Sequence, residues 1–496
     1  MPSRTGPLVV LATAQFLVVL STSIVNVALP AIRTGLGLDP AGLSWVVNAY
    51  GLAFGALLLP GGRLADLAGR RRVLRAGLAI FTASALVAAL AWSPAVLIGA
   101  RAAQGVGAAL LAPAALALVL THYPQPAARG RALGVWGAVS GAGGAAGVLL
   151  SGVLTELGGW RSIFVLIGVA GVVTVLAVPK VVPVDQPGNG GRLDVLGTVS
   201  VTGGLVALTY GLAASGVARW VGLAVGAGLL AVFVLAQRRV AEPLVAPRVV
   251  RIRSVRLANL VMLVLGGLWV GLFFFLPLYQ QQVLGYSALV AGLTQLPLAG
   301  AIILGSAVAG WVGRAGQARS GEPAALTGSD SPATLARSDR PAARLGRGVS
   351  VTLARIGGGG ARAGSRSSGP RAGLRAWAAP ALLPAALALV TVGLLWFGRA
   401  PANGEFLPDL LGPSLLTGLG LGLAFVQLTA VASANVPATD TGLASGLINT
   451  TRQVGGALGL AGLTALGEDF GLIFTAAAGI GALALLLSLV PAGTRR

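Results

Sequence analysis

The acid–base chemistry this chain can offer is small: 14 Asp and Glu, one His and no Cys among 496 residues. No H-E-x-x-H, no nucleophile elbow and no paired carboxylates occur, so hydrolysis has no candidate machinery. The lone Lys180 is followed by Val181 and preceded by no phosphate-binding loop, which excludes a P-loop ATPase. Without Cys there is no disulfide, thiolate or Cys-ligated metal. An enzyme is not expected, nor a cofactor, nor a metal site.

What remains are polar residues set within or beside apolar runs. Arg101 and Gln104 lie three positions apart inside one run. A guanidinium at membrane depth is expensive and suggests function by default; the alternative is that Arg101 only bonds interhelical carbonyls. Ser21 and Asn26 fall in the first run, and Asn449, Arg452 and Gln453 in a late one; all five are candidates to line a cavity. Between the second and third runs stands Gly62-Arg-Leu-Ala-Asp66-Leu-Ala-Gly69-Arg70-Arg71-Arg72. The glycines permit a tight turn, and Asp66 can accept from helix N-termini or pair with Arg. A fifth run carries Gly143, Gly144, Gly147 and Gly152, small residues that let helices pack closely. His122 reads as an interfacial residue rather than a proton relay.

These residues need elements to hold them, and composition says which. The chain is 55% hydrophobic and 10% charged, with mean hydropathy +0.85, whereas a soluble domain carries about 25% charged residues. Too little polar surface exists to face water, so the fold class is an all-α polytopic membrane protein. About 20 apolar residues make one span, and fourteen are expected: 8–30, 42–60, 73–92, 94–121, 131–154, 161–182, 194–216, 218–236, 256–280, 286–312, 376–398, 407–433, 440–466 and 470–491. The first is too long for a signal-peptide core and reads as an uncleaved span. Of 35 basic residues, Arg33, Arg161, Arg219 and Arg399 fall on one side and Arg101 and Arg452 within spans, leaving 29 on the other side. Positive loops stay inside, so both termini are expected in the cytoplasm. The same clustering argues against nucleic acid as the partner of the net +21 charge. Six spans, a pair and six more suggest a bundle over 1–182, a linking hairpin over 183–240 and a second bundle over 241–496. Within the last, 320–375 is rich in Arg, Gly, Ser and Ala and reads as a disordered basic cytoplasmic loop.

The motifs carry a resemblance. The Gly62–Arg72 stretch resembles the G-x-L-a-D-x-x-G-R-[KR] loop of the major facilitator superfamily, and Arg101-Ala-Ala-Gln104-Gly105 its R-x-x-Q-G motif. The run ending Gly143-Gly144-x-x-Gly147-Val148-x-x-Ser151-Gly152, followed by Trp160-Arg161-Ser162-Ile163-Phe164, is similar to the antiporter motif, with Val148 replacing its Pro and Ser151 a Gly. Ile24-Val25-Asn26-Val27-Ala28-Leu29-Pro30 and Gly442-Leu-Ala444-Ser445-Gly446-x-x-Asn449-Thr450-x-Arg452-Gln453-x-Gly455-Gly456 resemble the fourteen-span drug:proton antiporter branch, of multidrug efflux type. That resemblance implies two six-helix bundles plus a two-helix insertion and a bacterial cell-membrane monomer. It also implies alternating-access export of small amphipathic molecules driven by protons. By the same resemblance, Gly62, Asp66, Gly69, Arg70 and Arg71 gate the conformational switch, and Arg101 with Gln104 couples it. The branch usually places Asp where Ser21 stands, and Ser21 cannot ionise. A pocket without a buried anion should prefer neutral or anionic amphiphiles over dications. A dedicated single-metabolite exporter and a non-transporting sensor or scaffold stay open as alternatives.

Overall fold

The computed structural model describes residues 5–185, 193–240, 243–320, 370–401, 403–434, 436–437 and 440–489. Most of the expected basic loop at 320–375 therefore lies outside the described residues. The helices in chain order are α1 (Thr5–Leu36), α2 (Pro40–Ala68), α3 (Arg70–Ala89), α4 (Pro94–His122), α5 (Pro126–Gly158) and α6 (Arg161–Val181). There follow α7 (Val195–Ala213), α8 (Gly216–Gln237), the short α9 (Pro247–Val250), α10 (Arg253–Gln282), α11 (Ala288–Thr294) and α12 (Leu296–Ser320). The last are α13 (Pro370–Phe397), a π-helical turn (Phe406–Leu411) leading into α14 (Gly412–Ser433), α15 (Thr441–Thr464) and α16 (Phe470–Ser488). No strand occurs among the described residues. The protein is an all-α polytopic fold.

Local chemistry starts these helices where they start. Pro opens α2, α4 and α5, where a missing N–H costs nothing. Asp39 accepts from Gly42 N at 2.7 Å, and Asp469 from Leu472 N at 3.0 Å, as N-caps. Gly69, between α2 and α3, has φ +95°. That backbone region strains any residue with a Cβ, so the tight turn expected there demands glycine.

Twelve stretches among the described residues are long and apolar enough to cross a membrane. They match the expected spans except at two positions. The described apolar part of α13, Leu382–Phe397, is short. The other exception, α15, carries Asn449-Thr450-Thr451-Arg452-Gln453 at its middle. It tolerates this polar run because it packs between α10 and α2 instead of facing lipid along its length. There Gly459 and Gly267 bring the α15 and α10 backbones together, and a Cβ on Gly459 would collide with Gly267 Cα. The expected span at 286–312 is present as Ala288–Val312, its helix interrupted only at Gln295, whose buried amide donates to Gln280 Oε1 at 3.3 Å.

The helices α2, α3 and α4 pack on one another, as do α1 with α5 and α3 with α6; α12, α13, α14 and α16 pack likewise. The hairpin of α7 and α8 lies against both α2 and α15. Leu205 of α7 joins Leu52 and Ala56 of α2 and Val454 and Ala457 of α15 in one apolar cluster. Its outer face shows Val217, Trp220, Val221 and Val225, an apolar surface suited to lipid.

Candidate functional site

A cavity of about 1580 Å3 lies between α1, α2, α4 and α5 on one side and α10, α12, α14 and α15 on the other. It runs from Thr22, Asn26, Trp269 and Arg452 to the loops at one end, where Asp66, Asp194, Pro243 and Arg248 line it. That is the end bearing the Gly69 turn. A second chamber of about 30 Å3, lined by Asn48, Tyr50, Arg101 and Gln453, shares Thr22, Val47 and Val270 with the first.

The opposite end is closed by contacts between helices of the two sides. Arg33 Nη2 meets Glu468 Oε1 at 2.6 Å, and Gln281 Nε2 donates to Val27 O at 2.8 Å. Gly152 of α5 crosses α11 so tightly that a Cβ would stand 2.7 Å from Ala288 O. Nearby, Leu289 N donates to Glu156 Oε2 at 3.4 Å.

Of the five candidate cavity residues, Asn26, Asn449 and Arg452 line the main cavity. Ser21 does not: it is fully buried against Arg101, and Gln453 faces only the small chamber. Arg101 is itself buried, donating to Ser21 Oγ at 3.0 Å, Gln104 Oε1 at 2.6 Å and Val46 O at 3.1 Å. Its guanidinium lies 4.3 Å from the Tyr50 ring centre. Arg101 thus bonds an interhelical carbonyl and links α1, α2 and α4.

The glycine set divides. Gly143 approaches Phe16 O and accepts from Ser23 Oγ through its carbonyl, Gly147 presses on Ser23 Oγ, and Gly152 on α11. Gly144 instead opens onto the cavity, with nothing within 4 Å of its Cβ position. Small size there widens the cavity and contributes no packing.

In the turn, Asp66 accepts from Arg70 Nε at 3.2 Å and Nη2 at 3.0 Å, so it pairs with Arg and caps no helix. Asp185, which follows α6, does the capping: it accepts from Arg70 N at 2.6 Å and Arg71 N at 2.9 Å. Arg70 also reaches Thr121 Oγ1 and Arg71 reaches Pro179 O. Gly62 lines the cavity nearby.

Two further links carry no motif. Asp194 caps α7 through Gly197 N at 2.7 Å and accepts from Gln237 Nε2, whose Oε1 takes Val245 N at 3.1 Å. Arg248 then binds Asp440 at the start of α15 through two bonds of 3.0 and 2.8 Å. Those bonds, with the charge of Asp440, raise the Arg248 pKa above the ordinary arginine value. Each pair joins residues 43 or 192 positions apart, which no local spacing announces. No three His, Asp or Glu side chains among the described residues gather to hold a metal.

Residues 11–326 match the sequence profile of the Major Facilitator Superfamily. The chain belongs to that superfamily. Within it, the chain is 38% identical over 469 residues to the cephamycin export protein CmcT of Amycolatopsis lactamdurans, covering 92% of this chain and 84% of that one. It is 36% identical over 472 residues to the puromycin resistance protein pur8 of Streptomyces alboniger, covering 93% and 81%. A bacterial homolog of the human lysosomal transporter Spinster, solved inward-facing and occupied, superposes with TM-score 0.62 at 15% identity, covering 99% of this chain and 97% of that one. At that identity the likeness speaks for the superfamily fold alone.

Proposed function

We propose that this chain is a secondary active exporter of small amphipathic compounds, working by alternating access and coupled to protons. The observation that carries the reading is the cavity between the two helix groups, open toward one end and sealed at the other by Arg33–Glu468 and Gly152 against α11. A substrate site between two bundles that rock about it is the common plan of secondary transporters. The export and resistance proteins to which the chain is similar support drugs or antibiotics as cargo.

The excess of basic residues in the expected inner loops supports a cytoplasmic position for the Gly69 end and for both termini in a bacterial cell. The structure then stands inward-open. Residues 1–182 and 241–496 are the moving bundles, with 183–240 as the hairpin between them, and the unit is a monomer. In this reading Asp66 and its turn act as the gate, and Arg101 with Gln104 ties α1, α2 and α4 into one rigid body.

Flux of a panel of anionic, neutral and cationic antibiotics in reconstituted vesicles, with and without an imposed pH gradient, tests the proposal. Uptake that rises with the gradient is expected. Uptake indifferent to the gradient would remove proton coupling, and no movement of any antibiotic or amphiphile would leave the scaffold reading in its place.

A further inference from the structure

The cations that line the cavity are not equivalent. Arg248 is bound to Asp440, and Arg63 is also engaged. On the acidic side, Asp66 is taken by Arg70 and Asp194 by Gly197 N and Gln237. Arg452, midway along α15, differs from all of these. Its Nε is buried with no hydrogen-bond partner, it has no ion pair among the described residues, and its guanidinium carbon lies 5.8 Å from the centre of the Phe425 ring. Arginine does not give up its proton in a protein, so a full charge stands at mid-bundle without a counter-ion among the described residues. The other guanidinium at this depth, Arg101, is bonded to a hydroxyl, an amide and a carbonyl, none of them charged. The centre of the transporter therefore carries two positive charges, and the first-run position where a carboxylate would offset them holds Ser21.

An unpaired charge in an apolar interior is costly, and a ligand that supplies the missing anion recovers that cost. Around Arg452 the cavity offers apolar and aromatic walls from Trp269, Phe273 and Phe425, with the amide of Asn449 one turn away on the same helix. We propose that this cavity binds monoanionic amphiphiles: Arg452 takes a carboxylate or sulfonate group, and Trp269, Phe273 and Phe425 take the apolar ring body. The arrangement works against permanent cations, because they would face Arg452 with no carboxylate at mid-bundle to screen it. This inference rests on the transport reading of the same cavity and adds the charge class of its cargo.

The test uses three probes with one aromatic body: 2-naphthoxyacetate, its methyl ester and the matching primary amine. Binding is measured by calorimetry on the full chain in lipid nanodiscs, with empty nanodiscs subtracted. The acid is expected to bind roughly tenfold or more tightly than ester or amine, because its charge pairs with a guanidinium set among largely apolar walls. In Arg452→Gln that preference should vanish while ester binding stays within about twofold, and Arg452→Lys should keep part of it. Equal binding of acid and ester, a preference for the amine, no binding of any probe, or an acid preference surviving in Arg452→Gln would each overturn the proposal. If Arg452→Gln does not fold, the wild-type acid-to-ester contrast and Arg452→Lys decide. Flux in vesicles separates the two levels: acid binding without movement of any probe would sink transport and leave the anion site standing.

Discussion

Arg101 donates through Nη1 to the hydroxyl of Ser21 at 3.0 Å, joining the middle of α4 to the middle of α1. The bond replaces an ion pair that a carboxylate at position 21 would make. Burial in an apolar bundle makes a guanidinium depend on every neutral acceptor it has. Ser21→Ala should therefore lower stability by ~1.5–3 kcal/mol, seen as a lower melting temperature in detergent. Ser21→Asp should restore a counter-ion and weaken the acid preference of the cavity; an unchanged preference would mean Ser21 is electrically irrelevant.

At the end away from Gly69, Arg33 and Glu468 pair at 2.6 Å across the two helix groups. The chain has no Cys, so Arg33→Cys/Glu468→Cys can be cross-linked without background. A flexible, reducible bis-thiol reagent should arrest flux in vesicles, and reduction should restore it. Flux that persists while the link is intact would show that this end need not open.

The crossing of Gly152 over Ala288 leaves no room for a methyl group. Gly152→Ala should push α5 from α11 and loosen the closed end, shifting the conformational balance by ~1–3 kcal/mol. Faster labelling of a Cys introduced at Glu468 would report it. Unchanged labelling would mean that the backbones part without affecting closure.

Removing Asp194 takes away a helix cap and strands the Gln237 amide. Asp194→Ala should cost ~1–3 kcal/mol and speed proteolysis in the 186–192 connection. Equal digestion of both proteins would mean that the Asp194–Gln237 link does not hold the hairpin.

Asp66 is half exposed and pairs with Arg70 four residues on. An exposed i,i+4 pair contributes ~0.3–0.5 kcal/mol, so Asp66→Asn should leave the melting temperature nearly unchanged. Transport should still fall if the turn is a gate. Full flux in this variant would remove that role.

Much of the fold was legible because lipid imposes a strong rule. Every span must satisfy its own backbone and hide its polar groups, so apolar length and basic loops read directly as helices. The exception proves the reason: α15 is polar at Asn449–Gln453 because that stretch faces α2, α10 and the cavity instead of lipid. The superfamily turn was equally legible, since Gly69 needs its backbone freedom whatever packs nearby.

Partnership was another matter. Asp185 capping α3, Gln237 holding Asp194 and Asp440 holding Arg248 all cross long stretches of chain, and motif spacing says nothing about them. The same holds for the cavity: Ser21 and Arg452 looked alike as candidates, yet helix rotation buried one against Arg101 and left the other on the wall without a partner. Sequence alone determined that helices would cross a membrane, roughly where, and with which end basic, because those properties are local sums over apolar residues. Tertiary packing decided which charges meet, which glycines touch a neighbour, and that Arg452 has no ion pair among the described residues, because contact depends on how rigid helices are turned against one another.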